Sequence, residues 1–324
     1  MSVPQRFGIT VPFEGVPLHE HRAWYEEIEA LGYTDLWSAE AGASDAFTPL
    51  TLAAAWAPTL RLGTAIVPVY TRGAATLAQT VAGMCQAAPG RFALGIGTSS
   101  DVIVERWNGI PFEKPVQRVR DTIRFLRAAL SGEKVTEEYE TFSVQGFRLG
   151  AAVPEMPPIL VAALRPKMLG IAGSEGDGAI INWLSSADVR TVVPHVGEGK
   201  EIVARIFVLA STDRDTVNFI GRRAIAAYLN VPVYAKFHEW LGRGEILQPM
   251  WDAWNAGDRK AATEAIPESL VDDLIVHGST DDIRAKLAAY AENGVTTPAP
   301  AILGVGDDAR AVVRAIAPNP PPSS

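Results

Sequence analysis

The 324-residue chain has one cysteine, five histidines, a deficit of basic charge and no long apolar run. A lone Cys85 cannot form an intrachain disulfide, which fits a reducing compartment. Residues 1–20 carry charge and proline with no apolar leader core, and nothing approaches the roughly eighteen apolar residues of a membrane span. A cytoplasmic protein with no membrane partner is expected. Lys and Arg number 29 against 37 Asp and Glu, so the net charge of -8, with no basic stripe, excludes nucleic acid as an expected partner. His19 and His21 are two apart and share no helical face, and His195, His238 and His277 are scattered, so no metal is expected. A G-x-S-x-G elbow is missing too, which removes the usual frame for a Ser-His-Asp nucleophile.

What the chain does have is apolar material, 48% of its residues, enough for a large core in one big domain or two ordinary ones. Short β-rich runs alternate with helical patterns. Strands are predicted at 7–11, 35–38, 62–67, 92–95, 159–163, 179–182, 203–209 and 301–305. Between them lie helical stripes: Trp24, Ile28 and Leu31, closed by Gly32; then Val116, Val119, Ile123, Leu126 and Leu130; then Ile283, Leu287 and Tyr290, opened by Ser279 or Thr280 and closed by Gly294. Eight alternations predict an α/β fold, a closed (β/α)8 TIM barrel. The first four strands are evenly spaced, but two later gaps are long. One holds a charged hairpin at 131–150. The other, within 232–267, carries Trp240, Met250, Trp251 and Trp254 with no evident barrel role. The expected organisation is a single domain over 1–315 with these two insertions, then a disordered tail at 316–324.

In such a barrel chemistry sits where the strands end. Those places are 12–14, 38–40, 67–71, 97–101, 164–167 and 182–183. Glu40 follows an apolar strand, where partial burial would suit it to acid/base work; equally, it could accept loop amides or cap the helix after Asp45. "LGIGTSSD" (94–101) lets a ligand approach the backbone closely, or is a plain tight turn; it lacks the third glycine of a dinucleotide fingerprint. "AALRPKMLG" (162–170) reads as strand, basic turn and helix, so first-turn amides and Lys167 would hold a phosphate, or else Arg165 and Lys167 are solvated cations. The run around Cys85 is a helix packing small residues, which makes an inert thiol. The puzzle is "RLGTAIVPVYTRG" (61–73): a buried strand that runs into Pro68, Tyr70, Thr71 and Arg72 where a helix should begin.

That stretch, with "PGRFALGIGTSS", "GYTDLWSAEAGASDAFTPL" and "PPILVAALRPKMLGIAGSEGDGAIINWLS", resembles the luciferase-like monooxygenase superfamily over nearly the whole chain, most closely its actinobacterial coenzyme F420-dependent oxidoreductases. The resemblance implies hydride transfer between the deazaflavin and an unidentified small organic substrate, in a protein that is commonly a homodimer. It implies a non-prolyl cis peptide at Ala65–Ile66, backing the cofactor ring, and this accounts for the crowded loop. Ring and tail contacts would fall on Ser38, Ala39, Ala65, Ile66, Pro68, Thr98, Ser99, Ala163, Leu164, Pro166 and Lys167, with Glu40 as the catalytic acid/base. Arg72 and Arg165 would serve the anionic tail. The sugar-phosphate dehydrogenases of the superfamily carry a histidine and a glutamate where this chain has Glu40 and Ser100, which argues against that substrate. Two alternatives remain: an FMN-dependent monooxygenase on the same barrel, and a non-catalytic cofactor- or ligand-binding barrel.

Overall fold

The computed structural model describes residues 5–304 and 306–319, except for the side chain of Asp307. Eight parallel strands follow one another in chain order and in space: β1 (Gly8–Val11), β2 (Asp35–Ser38), β3 (Arg61–Thr64), β4 (Phe92–Gly97), β5 (Ile159–Ala162), β6 (Gly178–Asn182), β7 (Glu201–Leu209) and β8 (Thr297–Ile302). Each pairs in parallel with the next, giving one curled sheet with helices between its strands.

A fully closed ladder was expected, and the seam is where the structure differs. β1 and β8 lie side by side, joined by the Arg6 amide donating to the Thr296 carbonyl at 2.9 Å and the Thr10 hydroxyl donating to the Ala299 carbonyl at 3.3 Å. No paired register connects them. The reason is in the sequence of β8, "TPAPAI". The Thr296 and Leu303 amides, on either side of this segment, donate to the Ile202 and Val208 carbonyls of β7. Between them Pro298 and Pro300 have no amide, so neither can supply the donor that pairing with β1 as well as β7 needs. The same prolines explain why this strand begins at 297 rather than at the expected 301; Val305, its predicted end, lies outside the described residues.

The helical stripes pack as their periodicity requires. Trp24, Ile28 and Leu31 are buried, as are Val119, Ile123, Leu126 and Leu130 of the helix Pro115–Leu130, and Ile283, Leu287 and Tyr290 of Thr280–Glu292. Burying each such side chain contributes about 1.5–3 kcal/mol. Ser279 opens the last of these helices with a reciprocal capping box to Asp282. Inside the curl a small cluster of Trp37, Ala93, Leu160, Ile180, Val203 and Ala299 forms the floor of the mouth. Gly63 makes room for Trp37, since a Cβ there would stand 2.2 Å from the indole ring. Below it, Arg61 pairs with both Asp35 and Glu201 at the strand N-terminal ends.

The insertion at 131–150 is an antiparallel hairpin, Lys134–Glu138 with Ser143–Arg148. The second forms helices Pro232–Trp240, Gly244–Asn255 and Arg259–Glu264. Its aromatics, which had no barrel role in the sequence, have a packing role: Leu247, Met250 and Trp251 join Trp183, Phe207 and Leu229 in a second core, and the Trp251 indole donates to the Leu229 carbonyl at 2.9 Å. Residues 316–319, expected in the tail, pack on the domain: Ile316 and Ala317 are buried, and the Asn319 amide donates to the Leu31 carbonyl at 3.0 Å. Residues 320–324 lie outside the described residues.

Candidate active site

Parallel register brings the ends of β2 to β5 into one arc. Ser38 of β2 stands opposite Thr64 of β3, Gly63 opposite Ala93 of β4, and Ile96 opposite Val161 of β5. Ser38, Ala39 and Glu40, then Ala65, Ile66 and Pro68, then Thr98 and Ser99, then Ala163 and Leu164 therefore follow one another around the same rim. Pro166 and Lys167 lie just beyond, exposed in the first turn of the helix Pro166–Ser174.

The crowded stretch resolves into a break. The expected strand 62–67 ends at Thr64, the Ala65–Ile66 peptide is cis, and pairing resumes as Val67–Pro68 against Ile96–Gly97. Backbone bonds hold the break on both sides: Ala65 donates to the Ser38 carbonyl at 2.6 Å, Glu40 to Ile66 at 3.1 Å, and Val69 to Gly97 at 2.9 Å. The Thr64 hydroxyl bridges to β4, donating to the Gly95 carbonyl and accepting from the Gly95 amide, both at 2.8 Å. Only glycine fits opposite. A Cβ on Gly95 would lie 1.9 Å from the Thr64 carbonyl oxygen, and one on Gly97 2.8 Å from the Ala162 Cβ and 3.1 Å from Ile66 Cδ1. Ser99 follows at φ 60, a left-handed conformation. The Tyr70 hydroxyl donates to the Glu113 carbonyl at 2.6 Å, and burial first, then Glu113 against the opposing Arg118 charge, pushes this phenol up to about 12.

Outside this arc opens a cleft of about 330 Å³ lined by Glu40, Ser44, Asp45, Thr71, Arg72, Ile103 and Asn108. Glu40 is not a free carboxylate. Arg72 Nη2 lies 2.6 Å from its Oε1, the Ala46 amide donates to the same oxygen at 3.3 Å, and the guanidinium stacks 5.0 Å from the Phe47 ring. Arg72 is thereby the partner of Glu40 rather than a free surface cation. Asp45, not Glu40, caps the helix Phe47–Trp56, accepting from the Phe47 and Thr48 amides at 2.8 and 3.0 Å. Burial acts to raise the Asp45 carboxyl, but the Thr48 hydroxyl, these amides and the Arg72 charge together hold it below the usual carboxylate range.

The arc suits a flat ligand. Ala39, Ala65 and Ala162 leave backbone and small, partly exposed side chains at the rim, Gly97 lets β4 pack directly against Ala162 and Ile66, and the buried Ser38 hydroxyl has no hydrogen-bond partner among the described residues. Residue types alone missed the lining groups Ser44, on the loop after β2, and Ile103 and Asn108, within and at the end of the short helix Val102–Trp107, whose approach depends on the whole sheet. His21 is a structural group, its Nε2 accepting from the Phe13 amide at 3.0 Å while Nδ1 meets the Pro17 carbonyl at 3.0 Å. Cys85 is buried, and burial first, then Glu155, pushes its thiol up to about 11, consistent with an inert role.

Comparison with known proteins adds a lineage to this geometry. The family model described as luciferase-like monooxygenase matches residues 2–297. A Mycobacterium tuberculosis protein named for coenzyme F420-dependent oxidoreduction is 26% identical, over 91% of this chain and 94% of its own. A 5,10-methylenetetrahydromethanopterin reductase of Methanolobus tindarius is also 26% identical, over 90% and 92%. Among solved structures, the coenzyme F420-dependent tetrahydromethanopterin reductase of Methanopyrus kandleri superposes with a TM-score of 0.81, at 20% identity, covering 98% of this chain and 99% of that one.

Proposed function

The chain belongs to the luciferase-like monooxygenase family, and from that premise we propose that it is a coenzyme F420-dependent oxidoreductase moving a hydride between the deazaflavin and a small organic substrate. The observation that carries the reading is the arc itself: four adjoining strand ends with small side chains at Ala39, Ala65, Gly97 and Ala162, opening beside a cleft that holds Glu40. A relative named for coenzyme F420-dependent oxidoreduction, aligned over nine-tenths of the chain, supports the cofactor.

Ala65 and Ile66, with Ser38, Ala39 and Pro68, would back the ring, and Thr98, Ser99, Ala163, Leu164, Pro166 and Lys167 would line the path of the phosphate-bearing tail. When bound, the deazaflavin supplies the carbon that gives or accepts hydride, so the protein has to orient, shield and manage a proton. Glu40 is the group for that proton: its Oε1 faces Arg72, which fixes the carboxylate's direction, and the residue lines the cleft. We place the site in one (β/α)8 domain whose β1–β8 seam completes the curl, working as a cytoplasmic homodimer on small molecules. Titration of the wild type and of Gly97→Val with F420, followed by protein fluorescence, tests the placement. Binding by the wild type with loss in the variant supports it; equal binding by both would move the ring elsewhere.

A further inference from the structure

We propose that Arg205, on the opposite wall of the same mouth, anchors a carboxylate of the substrate. The proposal rests on the reading of the mouth as the reaction site. Arg205 lies within β7, two residues past Val203, and side chains on a strand alternate, so both face the interior. Val203 belongs to the floor cluster against which Ala65 and Ile66 pack. The guanidinium is therefore one step nearer the mouth than the floor on which the β3 break rests.

Its neighbours across the ladder are neutral: Asn182 on β6 and Ala299 on β8. No hydrogen bond or ion pair reaches Arg205 among the described residues, and its Nε is buried without a partner. Arg61 of the sheet is matched by Asp35 and Glu201, and Arg72 of the cleft by Glu40. A cation drawn partly out of water without a counter-charge is unfavourable, and an incoming anion removes that penalty. One planar fork with no second cation across the ladder matches the two oxygens of a carboxylate better than a doubly charged phosphate.

The surroundings hold the fork still. Its central carbon lies 4.8 Å from the Phe207 ring centre. Phe207 stacks on Trp183 at 4.1 Å, Trp183 meets Tyr228 at 4.8 Å, and Tyr228 meets Tyr234 at 6.0 Å. Asn182 donates from Nδ2 to the Tyr234 hydroxyl at 3.1 Å, which aims its amide at the insertion. Burial raises the Tyr234 hydroxyl above the usual phenol range, with the Asn182 bond acting the other way. Trp183 itself sits at φ 54, a conformation a bulky residue holds only where packing enforces it.

The probes are benzoate, its neutral counterpart benzamide, and inorganic phosphate, each titrated by calorimetry into the cofactor-free full chain, with F420 titrated in parallel. Benzoate should bind the wild type more tightly than benzamide or phosphate, lose at least about tenfold in affinity in Arg205→Gln, and recover part of it in Arg205→Lys. F420 affinity should be the same in wild type and Arg205→Gln. No binding of benzoate, or equal binding by Arg205→Gln, overturns the anchor. An equal loss of F420 affinity in Arg205→Gln also overturns it, by giving the guanidinium to the cofactor. If the wild type fails to bind F420 while benzoate binding still depends on Arg205, the F420 reading falls and the carboxylate anchor stands.

Discussion

His238 sets a pH dependence of stability that can be worked through from its surroundings. It lies on the helix Pro232–Trp240, fully buried, edge-on to Phe237 with ring centres 5.4 Å apart. Burial first, and the Arg243 guanidinium second, hold its imidazole down to about 4 from an ordinary 6.5, with Asp188 acting the other way. The folded chain thus keeps His238 neutral where the unfolded chain has already bound a proton. Stability from this group is complete above about pH 6.5, is lost as pH falls from there toward about 4, and changes no further below that. At about 1.4 kcal/mol per pH unit the full loss amounts to about 3 kcal/mol. Urea denaturation at a series of pH values between about 7 and 4 measures it, with His238→Phe as the comparison. His21, also held low by burial, and the depressed carboxylates Asp45 and Asp272 titrate in both proteins and cancel. The wild-type curve should fall more steeply than the variant's by about that amount. Parallel curves would mean that His238 reaches solvent or a partner as easily in the folded state as in the unfolded one.

Further outcomes follow from the site. Glu40→Gln should leave F420 affinity unchanged while lowering turnover by about 10²–10⁴-fold, read by steady-state kinetics on a reacting substrate; unchanged turnover would reduce Glu40 to a partner for Arg72. Gly95→Ala forces a methyl to within 1.9 Å of a backbone oxygen and should lower the denaturation midpoint by a stability loss of about 1–3 kcal/mol. Gly83→Ala, mid-helix with open space around the new Cβ, should instead raise it, by about 0.5–1 kcal/mol.

The sequence made the sheet legible because eight apolar runs and three helical stripes each obey a local period, and Glu40 was visible as a carboxylate just past a strand. What stayed hidden depends on distant partners. The pairing of Glu40 with Arg72 joins residues from two successive βα loops, and the burial of Met250 and Trp251 arises only when the insertion folds over Trp183 and Phe207. Prolines at 298 and 300 masked the start of β8, since proline within a run ordinarily argues against a strand. Arg205 had a signal that could have been read: a single charge on the inward register of "EIVARIFVL", where every other inward position past Glu201 is apolar.

The central claim is the identity of the cofactor, and one measurement addresses it: parallel titration of the cofactor-free chain with coenzyme F420 and with FMN, followed by fluorescence or heat. Phosphate contact alone cannot separate the two, because the helix amides beside Lys167 would serve either; the difference has to come from the ring site at Ala65–Ile66 and from room for the longer tail. The account predicts tighter binding of F420. FMN binding at least as tightly, with its reduced form consuming oxygen on the protein, would contradict it and make the chain a flavin monooxygenase.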